Sequence, residues 1–206
     1  MGKVIAFTSV TLDGVMQAPG RADEDTRGGF RHGGWAIPYA DQMIQGLAGE
    51  GSDTTGAMLF GRRTYEDLYA AWAHAPSNPF TEIFNATPKY VASRSLREPL
   101  VWQNSILLAG DAAEAVAGLR SSLEKDLIML GSGELLRSLL PHGLVDRLIL
   151  LIHPLLLGSG IRLFEDGAGY AELRLVDSRT STTGVVVATY DVVTARAAAL
   201  AAEQGA

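Results

Sequence analysis

The 206-residue chain contains no cysteine. Disulfides, thiolate metal sites and a cysteine nucleophile are therefore excluded. It also lacks any apolar run near the ~20 residues needed to cross a bilayer. Its opening, Met1-Gly2-Lys3-Val4-Ile5-Ala6, reads as a strand and not as a signal peptide. A cytoplasmic protein with no membrane partner is the resulting expectation. Positive charge is in the minority, with 17 Lys and Arg against 23 Asp and Glu and a net charge of −6. A nucleic-acid-binding surface is not expected from that balance, although a local basic patch for a nucleotide is compatible with it. The four histidines, at 32, 74, 142 and 153, have no metal-ligand spacing, so no metal is expected. The G-x-S-x-G elbow and the GxxxxGK[ST] loop are absent, and hydrolytic and phosphotransfer chemistry lose their usual parts.

What is present is an ordinary globular composition, 47% apolar and 19% charged, with material for one sizeable core. Residues 4–10 are β-rich and mostly apolar, as in a buried strand. A polar, glycine-rich stretch of residues 11–38 follows, and a loop of that length in a compact domain is usually functional. Residues 39–48 have helical spacing through Met43, Ile44 and Leu47. Strands are expected at 57–60, 89–93, 102–108 and 127–130, and helices at 62–71, 112–123 and 132–140. Residues 73–88 read as loop with a short helical turn. An apolar run at 145–157 precedes two strands, 172–178 and 185–193, joined as a hairpin. Strands that alternate with helices and then pair among themselves argue for an α/β sheet, parallel first and antiparallel at its C-terminal edge. Residues 1–194 are expected to form one domain, and residues 195–206 an Ala-rich tail.

Two glycine-marked turns about 70 residues apart dominate the functional reading. Ala57-Met58-Leu59-Phe60 runs into Gly61-Arg62-Arg63-Thr64, and Leu127-Ile128-Met129-Leu130 into Gly131-Ser132-Gly133. Each opens a helix-like segment, where unpaired backbone N–H groups and partial positive charge suit an anionic ligand such as a dinucleotide. Arg62 and Arg63 add guanidinium forks for phosphate, and Thr64 a hydroxyl donor. The plainer alternative for both segments is a tight turn, with the arginines solvated. Ser93-Arg94-Ser95 could hold the extra 2′-phosphate of NADP or be a polar turn. Asp13 and Asp41 could line a substrate pocket, or serve a turn and a helix start respectively.

In combination these segments resemble the dihydrofolate reductase superfamily, and most nearly the reductase domain of bifunctional riboflavin-biosynthesis deaminase-reductases and its stand-alone relatives. The resemblance is carried by Ser9-Val10-Thr11-Leu12-Asp13-Gly14, Leu59-Phe60-Gly61-Arg62-Arg63-Thr64-Tyr65, Lys89-Tyr90-Val91-Ala92-Ser93-Arg94-Ser95-Leu96, Gly131-Ser132-Gly133, and Leu144-Val145-Asp146 with His153-Pro154. It implies a three-layer α/β fold, its central mixed and mostly parallel sheet flanked by helices, with NADPH across the carboxyl ends of the strands. It further implies that Gly61, Arg62, Arg63 and Thr64 contact the cofactor phosphates, and that Ser93, Arg94 and Ser95 bind the 2′-phosphate. Gly131, Ser132 and Gly133, followed by Glu134 and Leu135, would approach the nicotinamide and pyrophosphate, with Ser9 and Val10 nearby. Met16, Trp35 and Tyr65 would face the substrate. Trp35-Ala36-Ile37-Pro38-Tyr39-Ala40-Asp41 is similar to a segment whose carboxylate binds pterin in dihydrofolate reductases, with one residue extra before the aspartate.

The implied activity is an NADPH-dependent reductase that transfers hydride to a C=N or C=O carbon of a small pterin-, aminopyrimidine- or other carbonyl-type substrate. Asp13 and Asp41 are the candidate proton donors, and the 11–38 loop would close over the substrate. The alternative is a non-catalytic NADP(H)- or small-ligand-binding protein on the same fold. On either reading a Gly131→Val change is expected to fill space that the nicotinamide needs. A homodimer is expected, with the apolar run at 148–157 as its interface, unless that run is simply a buried central strand.

Overall fold

The computed structural model describes residues 2–47, 53–166 and 170–193. Its centre is an eight-stranded sheet with the strand order β4-β3-β2-β5-β1-β6-β8-β7. The strands are β1 (Val4–Thr11), β2 (Thr55–Gly61), β3 (Lys89–Ala92), β4 (Ser105–Leu108), β5 (Asp126–Leu130), β6 (Arg147–His153), β7 (Glu172–Thr180) and β8 (Val186–Val193). From β4 across to β6 every pairing is parallel, while β6–β8 and β8–β7 are antiparallel. The mixed sheet with its antiparallel C-terminal edge is the arrangement anticipated from the element order.

The helices are α1 (Gln42–Gly46), α2 (Arg62–Trp72), α3 (Pro79–Ala86), α4 (Ala112–Ser122) and α5 (Gly133–Leu139). Strand period divides their packing into two layers. Ala57 and Leu59 of β2 join Val4, Ala6, Leu127, Met129 and Leu148 in a core closed by Val116 of α4 and Leu135, Leu136 and Leu139 of α5. The alternate residues Met58 and Phe60 face the other way. They pack with Val91, Tyr65 and Trp102, against Leu68 and Trp72 of α2 and Phe84 of α3. This is the expected three-layer fold.

Two segments differ from their sequence reading. Residues 73–88 contain more than a helical turn, because Pro79 opens the eight-residue α3. Thr81 Oγ1 accepts from Asn78 N at 2.9 Å and Asn78 Oδ1 accepts from Thr81 N at 3.2 Å, a reciprocal cap that supplies the start signal. The first part of the apolar run at 148–157 is β6, an interior strand between β1 and β8 whose Leu148, Leu150 and Leu151 are buried within one chain, while Leu156 beyond the strand is 71% exposed. The expected tail, residues 195–206, lies outside the described residues, as does the end of the 39–48 helix. Among the described residues no helix is long and apolar enough to cross a membrane.

Candidate functional site

The parallel strands end on one cleft of about 1610 Å³. That exceeds the ~300–1000 Å³ of ordinary small-ligand pockets. Phe7, Thr8 and Ser9 at the end of β1 line it. The β2–α2 turn, the end of β3 and the β5–α5 turn line it too, with loop residues 16–27 opposite. A crevice outside the carboxyl ends of the strands is where ligands bind in open α/β sheets.

Hydrogen bonds lace the two glycine turns together. Ser132 N donates to Thr64 Oγ1 at 3.2 Å, and Gly61 N donates to Ser132 Oγ at 3.1 Å. Ser132 Oγ passes its own proton to Leu130 O at 3.1 Å. Thr64 thus serves first as an acceptor within the protein, with its hydroxyl proton left over. Gly131 N donates to Phe7 O at 2.9 Å, which ties the turn to β1. Gly131 has φ +55°, the left-handed region that favours glycine, and Ser132 follows it at φ 52°. A Cβ on Gly131 would touch Thr64 at 3.5 Å. Gly131→Val would therefore strain the backbone at a residue that lines the cleft, in addition to the cofactor space it was expected to fill. A Cβ on Gly133 would instead overlap Met16 Sδ, so Met16 from the loop rests directly on this glycine.

Most cleft arginines already have partners. Arg62 pairs with Glu66 at 2.7 Å, Arg63 with Glu134 at 2.8 Å, and Arg27 with both Asp25 and Glu134, at 2.6 and 3.1 Å. Arg21 forms an ion pair with Asp67 of α2. Among the described residues the guanidinium of Arg94 makes no hydrogen bond or ion pair, and its charge helps to lower the pKa of Asp111, which lines the same cleft. It stands beside Ser93, whose Oγ accepts from Ser95 N and Leu96 N at 3.1 and 3.0 Å. Glu24 is the cleft carboxyl pushed upward in pKa, chiefly by burial, with N–H groups of Gly20 and Arg21 pulling the other way.

Five of the expected site residues do not line the cleft. Tyr65 is 1% exposed, and its hydroxyl accepts from Trp102 N at 2.9 Å. Trp35 is also buried: its Nε1 donates to Gln17 O at 2.7 Å and its ring meets His153 edge-on at 5.0 Å. Both belong to packing, not to a substrate wall. Val10 is core. Asp41 caps α1 by accepting from Ile44 N at 2.9 Å and clamps Thr182 N and Oγ1, both at 2.8 Å. Asp13 accepts from Thr11 Oγ1, Gly158 N and Leu157 N, which closes the turn after β1 onto the segment after β6. Those bonds hold both carboxyls below the ordinary aspartate range, Asp13 mainly through the Thr11 hydroxyl and Asp41 through Ile44 N–H. Neither is placed or tuned to give up a proton in the cleft.

The other expected residues, Ser9, Met16, Gly61, Arg62, Arg63, Thr64, Ser93, Arg94, Ser95, Gly131, Ser132, Gly133, Glu134 and Leu135, come together on its walls. Sequence reasoning missed Arg21, Glu24, Arg27 and Arg137. The available signal was the charge density of Arg21-Ala22-Asp23-Glu24-Asp25-Thr26-Arg27 inside an otherwise glycine-rich loop. Among the described residues no group of three or more His, Asp or Glu could hold a metal.

The sheet order, the two laced turns and the cleft define a dihydrofolate reductase-like protein. A dihydrofolate reductase from Enterococcus faecalis, solved in complex with NADP(H), superposes with a TM-score of 0.56 at 13% identity, covering 93% of this chain and 95% of that one. A pyrimidine reductase-like protein from Corynebacterium diphtheriae superposes with a TM-score of 0.66 at 15% identity, covering 93% and 92%. The family model of the RibD C-terminal domain matches residues 2–187, and the chain belongs to that family. The Bacillus subtilis protein YyaP is 29% identical over 194 residues, spanning 91% of this chain and 94% of its own.

Proposed function

We propose that the protein is an NADPH-dependent reductase acting on a C=N or C=O group of a small substrate. The observation that carries this reading is the cleft itself, which unites both glycine turns with the unpaired Arg94 beside Ser93 and Ser95. These residues fit the cofactor. A free guanidinium flanked by serine hydroxyls suits a phosphate monoester. The N-terminal turn of the 11-residue α2, with Gly61 at its cap and no side-chain capping bond, leaves backbone N–H groups for a pyrophosphate. Gly131, which lines the cleft without a side chain, allows close approach of a flat ring. The Enterococcus faecalis neighbour was solved with NADP(H), and membership of the RibD C-terminal domain family points the same way.

When bound, the nicotinamide supplies the hydride. The protein's part is binding, orientation and exclusion of water. Arg94 would hold the 2′-phosphate, Arg62, Arg63 and Thr64 the pyrophosphate, and Ser9 and the Gly131 turn the nicotinamide. Met16 and its loop cover the inner end of the cleft. Asp13 and Asp41 are committed to turns outside the cleft, and Glu24 is the cleft carboxyl whose pKa burial raises. Binding without turnover is the second reading, favoured by that same commitment of both candidate carboxylates to turns. Following NADPH absorbance against a panel of pterins, aminopyrimidines and small carbonyls separates the two. Oxidation with any one compound, at a rate that depends on its concentration, supports the reductase. Cofactor binding with no oxidation across the panel supports the binder.

A further inference from the structure

Glu134 stands in an unusual position for a phosphate site. Its Oε1 accepts from Arg63 Nη1 of α2 at 2.8 Å and from Arg27 Nη1 of the loop at 3.1 Å. Three separate segments are thereby joined across the cleft by one carboxylate oxygen. Asp25 holds Arg27 from the other side through Nε and Nη2, at 2.9 and 2.6 Å. The two arginines and two carboxylates sum to zero charge, so the cleft's middle presents no net cation to an arriving anion. A carboxylate and a phosphate oxygen compete for the same guanidinium donors.

We propose that Glu134 is a built-in stand-in for a ligand phosphate. Resting on the nicotinamide-nucleotide reading above, it occupies Arg63 and Arg27 in the free protein and keeps the 16–27 loop tied across the cleft. A ligand pyrophosphate takes over both arginines, the carboxylate swings to solvent, and the loop remains tied through the ligand in place of Glu134. Glu134 is then a specificity-determining residue: it screens the cleft against weak anions, and only a ligand with further contacts displaces it. Asp25, bonded within its own loop, stays with Arg27 throughout.

The test is Glu134→Gln in the full chain, with Glu134→Ala as a second variant. Titrations with NADPH and, separately, with inorganic pyrophosphate are run at several salt concentrations. All three pairing side chains are substantially exposed, with fractional exposures of 41%, 48% and 59% for Arg27, Arg63 and Glu134, so the change is moderate. Removing the competitor tightens binding of both probes about three- to tenfold and steepens the salt dependence, because the cluster gains one positive charge. Unchanged or weaker binding of both probes in both variants, with melting showing an intact fold, overturns the proposal. It would mean that Glu134 positions the arginines for the ligand. If pyrophosphate binding tightens while neither wild type nor variant binds NADPH, Glu134 keeps this role and the cofactor reading falls. If neither probe binds any of the proteins, both fall.

Discussion

Arg94 is a cleft arginine with no direct ion pair, only a through-space attraction to Asp111, so its removal should read out on ligand more than on fold. Arg94→Gln is expected to weaken NADPH binding about tenfold, near 1.4 kcal/mol, at the lower edge of what a hydrogen bond to a charged group contributes. NADH binding should be unchanged, and a parallel loss for both nucleotides would place Arg94 elsewhere. Tyr65 makes the opposite case. Its hydroxyl meets Trp102 N inside the core, so Tyr65→Phe leaves a buried N–H unpaired and should cost about 1–3 kcal/mol of stability by denaturant titration. Its NADPH affinity should match the wild type. Lys89 has a consequence for pH. It is 0% exposed, its Nζ donates to Thr87 O and Gln103 O, and burial pushes its pKa down to about 8. Between pH 8 and the free value of 10.5 the unfolded chain binds the proton that the folded one has shed, so stability rises with pH across that window. Below pH 8 both states carry it and the penalty is constant. Lys89→Met should flatten the rise relative to wild type; an identical slope in the variant would contradict the assignment.

At the scale of elements, β1, β2 and β5 were legible because buried parallel strands are continuous apolar runs, and glycine marks the ends of β2 and β5. Several cleft-lining residues, 61–64 and 131–135, were legible for the same reason, since they end or directly follow those runs. Asp13, Asp41, Trp35 and Tyr65 were misread because their partners, Gly158, Thr182, Gln17 and Trp102, are distant in sequence and only the folded chain brings them together. The α3 helix was underestimated although Asn78-Pro79-Phe80-Thr81-Glu82 holds its start signals. Thr81→Ala should therefore destabilise by about 1–2 kcal/mol in thermal or denaturant unfolding, as for other lost helix caps. Ser132→Ala removes the acceptor of Gly61 N and a donor to Leu130 O. It should both lower stability and weaken NADPH binding, because the two turns it joins form the ligand's contact surface.

For the whole molecule, eight strands in one sheet place the ends of β1, β2, β3 and β5 around a single cleft, while the antiparallel pair β8–β7 only extends the sheet away from it. The order of elements in the chain anticipated a sheet parallel first and antiparallel at its C-terminal edge, and the family resemblance anticipated a ligand across the strand ends. The loop's ion pairs across the cleft, Arg21 to Asp67 and Arg27 to Glu134, were not readable, because a dense charge run carries no record of its partners. The central claim is that this cleft holds NADPH, and thermal unfolding with NADPH or NADH at matched concentration tests it most directly. A ligand at ~100 times its dissociation constant stabilises by about 2.7 kcal/mol. The midpoint should rise clearly with NADPH and much less with NADH. No rise with either nucleotide, from a protein that unfolds cooperatively, would contradict the claim.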